Sequence, residues 1–505
     1  MIYTYDHIQR DLKIQTDICI VGSGAGGSAA ATEASKKGKQ VLLLEAGSYL
    51  TPKDFNQLED EMYSHLFWEK GGRANQDQSI QLIQGRGVGG STLHNLNLCK
   101  RIPPEIRSDW RERFGIEQLT DTVWNRLYSE TEQQLQVSLM DEKTHLNENN
   151  ALLKKGCAVL GYRGGMLQHN RKNCIGAGFC VLGCSFNSKM NALRVLIPEA
   201  VERGVQVLAN CAAIRLNYEG KKIVSLIAKM QHPKTLEFSH QVTITAKKFC
   251  ISAGGTQSCT LLQRSQVPDP YGHLGKNLFI HPGVVVAGLF PDHSVYGWKG
   301  IPQSYECTEF LDFSKNSTQR VWLISAFAHP IGTASLLPGF GSEHRKLMQQ
   351  LPHIAVVSAM IHDETSGIVK PKGEVDADFS YWPDPSEHSQ YWLGLKSAAK
   401  ILFAAGASEV LVPYTPMLRL TSPKNIDQID SLAIVPHRLP ITAVHPMGTL
   451  WMGKDPKTSV TNDTGRYHAL ENLYIADTSL FPTSIGVPPQ LSTYALGKWV
   501  GSHLD

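Results

Sequence analysis

The sequence predicts an α/β fold organised on a parallel sheet. Three observations carry that prediction: an apolar run that stops at a glycine cluster, a helix-forming segment leading to a second apolar run, and later β-rich and helix-like stretches in succession. Asp17-Ile18-Cys19-Ile20-Val21 is the kind of run a strand covered on both faces needs. It feeds Gly22-Ser23-Gly24-Ala25-Gly26-Gly27, which places the glycines at a strand end. Gly22 permits the tight turn, Gly24 lets a pyrophosphate approach the backbone, and Gly27 lets the next helix pack closely on the strand. Residues 28–37 are rich in helix formers and small side chains, and Gly38 is a suitable stop. The N-terminus of that helix offers free amides and a positive dipole end to phosphate. Val41-Leu42-Leu43-Leu44 then reads as a second buried strand, ending at Glu45, where an acid accepts hydrogen bonds from ribose hydroxyls and disfavours a 2′-phosphate. Strand, turn, helix, strand and acid in this order describe a Rossmann-like dinucleotide site, without separating FAD from NAD. Farther on, the run at 356–361 and the helix-like segment at 391–403 suit a sheet covered by helices.

At 505 residues the chain has room for two or three structural units. Apolar residues at 42% and charged residues at 19% are ordinary globular values. The net charge of +3 is dispersed, so nothing calls for nucleic acid or an anionic membrane surface. No run of about 18 apolar residues occurs, and the first residues lack an apolar export core, so neither a transmembrane segment nor a cleaved leader is expected. Ten cysteines, some within predicted strands (Cys19, Cys250), fit a reducing compartment, and the cytoplasm is the expected location.

A second glycine-dense segment runs from Gln84-Gly85-Arg86-Gly87 through Gly89-Gly90-Ser91-Thr92 to His94-Asn95. It resembles the signature of the glucose-methanol-choline (GMC) oxidoreductases, in which a G-G-S-[ST]-x-x-N segment lies against the flavin. Further matches are Arg101 and Pro103, Ala253-Gly254-Gly255 with Leu261-Leu262, and Gly275-Lys276-Asn277-Leu278 with His281-Pro282. The last are His445-Pro446-Met447-Gly448-Thr449, Met452-Gly453, and residues 473–482 around Asp477. The resemblance runs almost end to end and leans towards the choline dehydrogenase-like and long-chain alcohol oxidase-like branch. It implies FAD, held in a Rossmann-like domain with a parallel sheet, discontinuous in sequence (1–285 and 440–505, including the cysteine loop 174–184). A smaller α+β substrate domain with an antiparallel sheet is implied at 286–439. Gly22, Gly24, Gly27, Glu45 and Arg86 are expected at the cofactor, as are Gly89, Gly90, Ser91, His94, Asn95, Gly254, Asp477 and Gln490.

Oxidising an alcohol to a carbonyl needs a base for the hydroxyl proton and an acceptor for the carbinol hydride. By resemblance His445 is that base, beside flavin N5. The family places a second His or Asn near the chain end, but here Pro488 stands there, with no side-chain donor or acceptor. Either Gln490 or Asn95 substitutes as a catalytic group, or the alignment slips, or the chemistry differs. The alternatives are therefore a lyase or light-driven decarboxylase on the same scaffold, or a non-catalytic FAD-binding partner subunit. His94 has two readings, a covalent link to the flavin or a hydrogen bond near its ring. Cys174, Cys180 and Cys184 have ferredoxin-like spacing with Ala177 at one cysteine position, so a structural turn is expected in preference to an iron-sulfur cluster or zinc. His281 and Cys99 read as structural, and Trp298, Tyr381 and Trp382 as core or pocket wall. The implied partners are a small-molecule alcohol, lipophilic in the branch named above, and oxygen, a quinone or a redox protein as electron acceptor.

Overall fold

The computed structural model describes residues 1–326 and 328–504. The first apolar run lies in a longer strand, Leu12–Val21, and the second is Val41–Leu44, all four residues of which are buried. Their neighbours are Ile2–Tyr3, Gln206–Leu208, Phe238–Ile251 and Leu473–Ile475, all joined in parallel. Lys222–Gln231 and Cys211–Glu219 extend the far edge as an antiparallel meander. The sheet thus draws strands from both ends of the chain.

Between Leu12–Val21 and Val41–Leu44 lies the helix Ala25–Ser35, which packs against the C-terminal helix Gln490–Gly501. Small residues make that approach feasible. A Cβ at Gly497 would stand 2.3 Å from the Gly26 carbonyl oxygen, and one at Gly26 would stand 1.6 Å from that of Ala476.

The second sheet is antiparallel through Leu418–Leu420, Glu409–Val412, Gly283–Leu289, Ile354–Ile361, Val321–Ser325, Tyr305–Cys307 and Gly164–Met166. Ile441–Ala443 pairs antiparallel with Gly283–Leu289 and parallel with Ile80–Leu82. Strands from 80–82, 164–166 and 441–443 therefore join a sheet whose remaining members lie within 283–420. The helix His388–Ala405 covers one face, with Gly394 so close to Ala359 that a Cβ there would meet the alanine methyl at 2.6 Å. The opposite face looks into a cavity shared with the first sheet. Among the described residues no helix is long and apolar enough to cross a membrane.

Candidate active site

The cavity measures about 710 Å³ and runs from the glycine turn after Leu12–Val21 to the antiparallel sheet. At the first end, the glycines divide by what surrounds them. A Cβ at Gly22 or Gly27 would lie 2.2 or 1.9 Å from backbone oxygens, so both are required by packing. A Cβ at Gly24 would meet only the Gly90 Cα at 3.9 Å, and otherwise points into the cavity. Gly254, at φ +92°, is similarly open.

Glu45 reaches this wall with its carboxylate already engaged. It accepts from Ser23 N (3.1 Å) and Oγ (2.6 Å), from Gly47 N (2.8 Å) and from Gly87 N (3.3 Å). These four donors match the lone-pair capacity of a carboxylate, so a ribose hydroxyl would share the site with them. Asp477 ties the C-terminal strand to the helix Gly254–Arg264, accepting from Gly254 N (2.8 Å), Ser258 Oγ (2.5 Å) and Ser479 N (2.9 Å). Its burial raises its pKa.

Gly90, Ser91, His94, Asn95 and Gln490 also line the cavity. Gly27, Arg86 and Gly89 are behind it. Arg86 bonds to the Ala46 carbonyl and the Gln231 side chain and stacks on Trp68, while Gly89 N donates to Ser23 Oγ at 3.0 Å. Their part is to fix the loop that presents residues 90–95.

At the far end the fold brings two histidines together. Gly283 pairs with Thr442 in antiparallel register, and Phe279 with Met447, so the segments carrying His281 and His445 run side by side. The two Nδ1 atoms are 3.2 Å apart. His281 Nε2 accepts from Gly486 N at 3.0 Å. Burial pushes the His445 pKa down to about 4, and His281, buried beside His445 and His362, falls well below the usual value. Both rings are neutral near pH 7. Beneath them Asp363 accepts from Ile280 N (2.9 Å), His281 N (3.3 Å), Tyr381 Oη (3.1 Å) and Ser484 Oγ (2.6 Å).

Pro488 forms part of the cavity wall. Asn95 Nδ2 donates to Gln490 Oε1 at 2.7 Å, and Gln490 Nε2 donates to the Leu98 carbonyl (2.7 Å) and Asn170 Oδ1 (3.2 Å). Gln490 is thereby committed to holding Asn95. His94 packs on Phe67 with ring centroids 4.4 Å apart, and burial lowers its pKa to about 3. Its Nε2 is sealed, and has no hydrogen-bond partner among the described residues.

Two family models match the chain: the N-terminal GMC oxidoreductase model over residues 18–283, and the C-terminal one over 364–497. The chain is a GMC oxidoreductase. An uncharacterised GMC-type oxidoreductase of Mycobacterium tuberculosis is 30% identical, over 97% of this chain and 76% of that protein. A long-chain-alcohol oxidase of Arabidopsis thaliana is 26% identical over 98% of this chain and 69% of its own length. Pyridoxine 4-oxidase from Mesorbium loti shares the fold at a TM-score of 0.70 and 18% identity, covering 97% of this chain and 99% of that one. Formate oxidase of Aspergillus oryzae does so at 0.69 and 13%, covering 97% and 98%.

GMC oxidoreductases bind FAD, and the site fits it. Gly24 and Gly254 leave room where a Cβ would obstruct a ligand, and Gly24 caps a helix whose first turn carries no acidic side chain. The other features of this oxidoreductase are of a different kind. All ten cysteines are free, and no cluster of three or more His, Cys, Asp or Glu side chains is placed to hold a metal ion among the described residues. Arg171 Nη1 faces Cys174 Sγ (3.5 Å) and Cys180 Sγ (3.9 Å), and Ser188 N donates to Cys184 Sγ (3.2 Å). Trp298 lines the cavity, Tyr381 is buried on Asp363, and Trp382 packs against the core. Sequence reasoning read His281 as structural and assigned no role to Asp363 or Ser484, which lie beside it. His281-Pro282 was legible as a motif, but its partner lies 164 residues away and only the strand register joins them.

Proposed function

We propose that this GMC oxidoreductase oxidises a primary or secondary alcohol with a long apolar body to the carbonyl, with His445 at the carbinol hydroxyl. The observation that carries the substrate class is the face of the antiparallel sheet turned to the cavity. Gly283, Met360 and Trp322 form one cross-strand row, and Val285, Ser358 and Ile324 the next. Ala287 with Val356, and then Ile354, continue the wall. Seven residues of strand, 354–360, make this wall roughly 20 Å long. It starts beside His281 and His445, and Ser358 is the one hydroxyl in those two rows. Such a surface gains by burying methylene groups and offers a sugar little to bond. The Arabidopsis relative, a long-chain-alcohol oxidase, agrees with it.

FAD, when bound, supplies the acceptor for the carbinol hydride. Gly22, Gly24 and the amides at the start of Ala25–Ser35 would hold its phosphates, and Gly90, Ser91, Asn95 and Gly254 would border the rest. His445 is neutral, so it can meet a hydroxyl either through a lone pair, as a base, or through its N–H. Pro488 and the apolar wall limit the water around it. His94 is proposed to contact the flavin without a bond, because its Nε2 is sealed from the cavity.

Anaerobic addition of alcohols to the purified flavoprotein tests the reading. Long aliphatic primary alcohols should bleach the flavin absorbance, and short or polyhydroxylated ones should do so far less. Absence of bleaching by any alcohol would overturn it in favour of a non-oxidase chemistry.

A further inference from the structure

The apolar wall of the cavity ends at Ile354, and the segment that meets it there is held differently from the rest of the enclosure. Ile331, Leu336 and Leu337 line the cavity, and Leu337 packs against Ala287, Leu289 and Ile354. Ile331 and Leu336 belong to the helix Pro330–Leu336, none of whose seven residues is buried. The helix His388–Ala405, which covers the other face of the same sheet, has ten buried residues. So short a helix is not stable by itself in water and keeps its shape only through what touches it. Burial contributes little to that hold.

Two contacts tie its N-terminal end. Ile331 N and Gly332 N donate to the two carboxylate oxygens of Glu59 at 2.8 and 2.7 Å. His329, the residue before the helix, stacks on Phe179 with ring centroids 4.9 Å apart. Glu59 begins the helix Glu59–Leu66, whose Tyr63 also lines the cavity. The approach is close, since a Cβ at Gly332 would lie 3.3 Å from Tyr63 Oη and 3.4 Å from Glu59 Oε1. Amides bonded to a carboxylate make a strong but separable tie, unlike interdigitated side chains. The other end of the helix leads to Gly339 and Gly341, at φ +106° and +64°, where a Cβ would meet nothing within 4 Å. Packing does not require these glycines, and what they supply is backbone freedom. Phe340 between them is 90% exposed, so nothing clamps this connection.

We propose that the helix Pro330–Leu336 is a lid on the far end of the substrate cavity, turning on Gly339 and Gly341 and latched shut by Glu59, and that the latched lid limits the length of alkyl chain accepted. The inference rests on the alcohol-oxidation reading for the identity of that chain. A chain that ends along the wall leaves the latch closed. A longer one reaches Leu336 and Leu337, and its last methylenes fit only when the bonds to Glu59 open. Glu59 does not line the cavity, so it acts through the helix and is a positioning residue.

Hydrogen–deuterium exchange of the flavin-bound protein tests the latch without turnover. Amides of 331–337 should exchange faster than those of 390–402. Glu59→Gln keeps the length of the side chain but turns an NH2 group towards one amide, and it should speed exchange at 331–337 by about tenfold while leaving 390–402 unchanged. Flavin reduction by primary alcohols from hexanol to docosanol tests the limit. Relative to hexanol, kcat/KM for docosanol should rise by about fivefold or more in Glu59→Gln at unchanged flavin content. Exchange at 331–337 that matches 390–402, or that Glu59→Gln leaves unmoved, overturns the lid. A chain-length profile identical in the two proteins overturns the limit it is proposed to set. If exchange responds as stated but no alcohol reduces the flavin, the reaction reading falls and the latch stands.

Discussion

At the scale of single residues, the role proposed for His445 rests on its burial and on one neighbour, His281. Removing its ring in His445→Ala should lower kcat on the best alcohol by about 10² to 10⁴-fold while FAD remains bound, since no phosphate or adenine contact is touched. Flavin content by absorbance separates this from loss of the cofactor. His94 calls for a different measurement. Precipitating the protein in acid should release the yellow colour to the supernatant, because Nε2 is sealed rather than open to the flavin; colour kept in the pellet would show a covalent bond. His445 and the glycines could be singled out as candidates in the sequence because each belongs to a contiguous motif. Asp363 could not. It is one of two adjacent acids after an apolar strand, and only folding sets it under Ile280, His281, Tyr381 and Ser484. Gln490 was legible as a polar group near Pro488, but its commitment to Asn95 depends on a contact across 395 positions.

At the scale of elements, the site depends on how closely the helices Ala25–Ser35 and Gln490–Gly501 approach each other and the parallel sheet. The strand, turn and second strand at 17–45 could be read directly because a doubly covered strand is apolar along its whole length. The helix begins at Ala25, three residues earlier than the run of helix formers suggested, because glycines can occupy a first turn whose amides are left for a ligand. The antiparallel sheet was harder to read, since Ile80–Leu82, Gly164–Met166 and Ile441–Ala443 are three residues each and too short for a periodic signal. Gly26→Ala tests the packing. Its Cβ would fall 1.6 Å from the Ala476 carbonyl oxygen, a rigid backbone atom, so the helix must shift. A loss of about 1–3 kcal/mol in stability and a fall in bound FAD are expected. The readouts are chemical denaturation and flavin content, and an unchanged variant would place the helix–strand contact elsewhere.

For the whole molecule, the cavity joins two sheets, so one substitution on the second should act on substrate and leave the cofactor in place. Ala287→Phe projects a ring into the apolar wall beyond the Val285 row. It should raise KM for long-chain alcohols by about tenfold or more, at unchanged flavin content, with a smaller effect on a short alcohol that ends before this row. The burial that serves the site also governs acid stability. His94 is held at about 3, and His329, His362 and His445 at about 4, all by burial first. His169 and His281 lie well below 6.5, and His468 below it. All but His468 stay neutral in the fold to about pH 5, whereas the unfolded chain takes up its protons near 6.5. As pH falls below that value the unfolded state binds more protons, and each buried ring costs up to about 1.4 kcal/mol per pH unit until its folded pKa is reached. Three carboxyls act in the opposite sense. Burial raises Asp363 to about 6, and also raises Asp376 and Asp477, so the fold binds protons there that the unfolded chain does not. Their gain sets in only as pH falls through their folded values, about 6 for Asp363. Six strongly shifted histidines outweigh three carboxyls between pH 6.5 and 5, so the Tm of the FAD-bound protein should fall steadily from pH 7 to pH 5. A Tm that is level or rising over that interval would mean that the raised carboxyls outweigh these rings or that the rings are protonated in the folded chain.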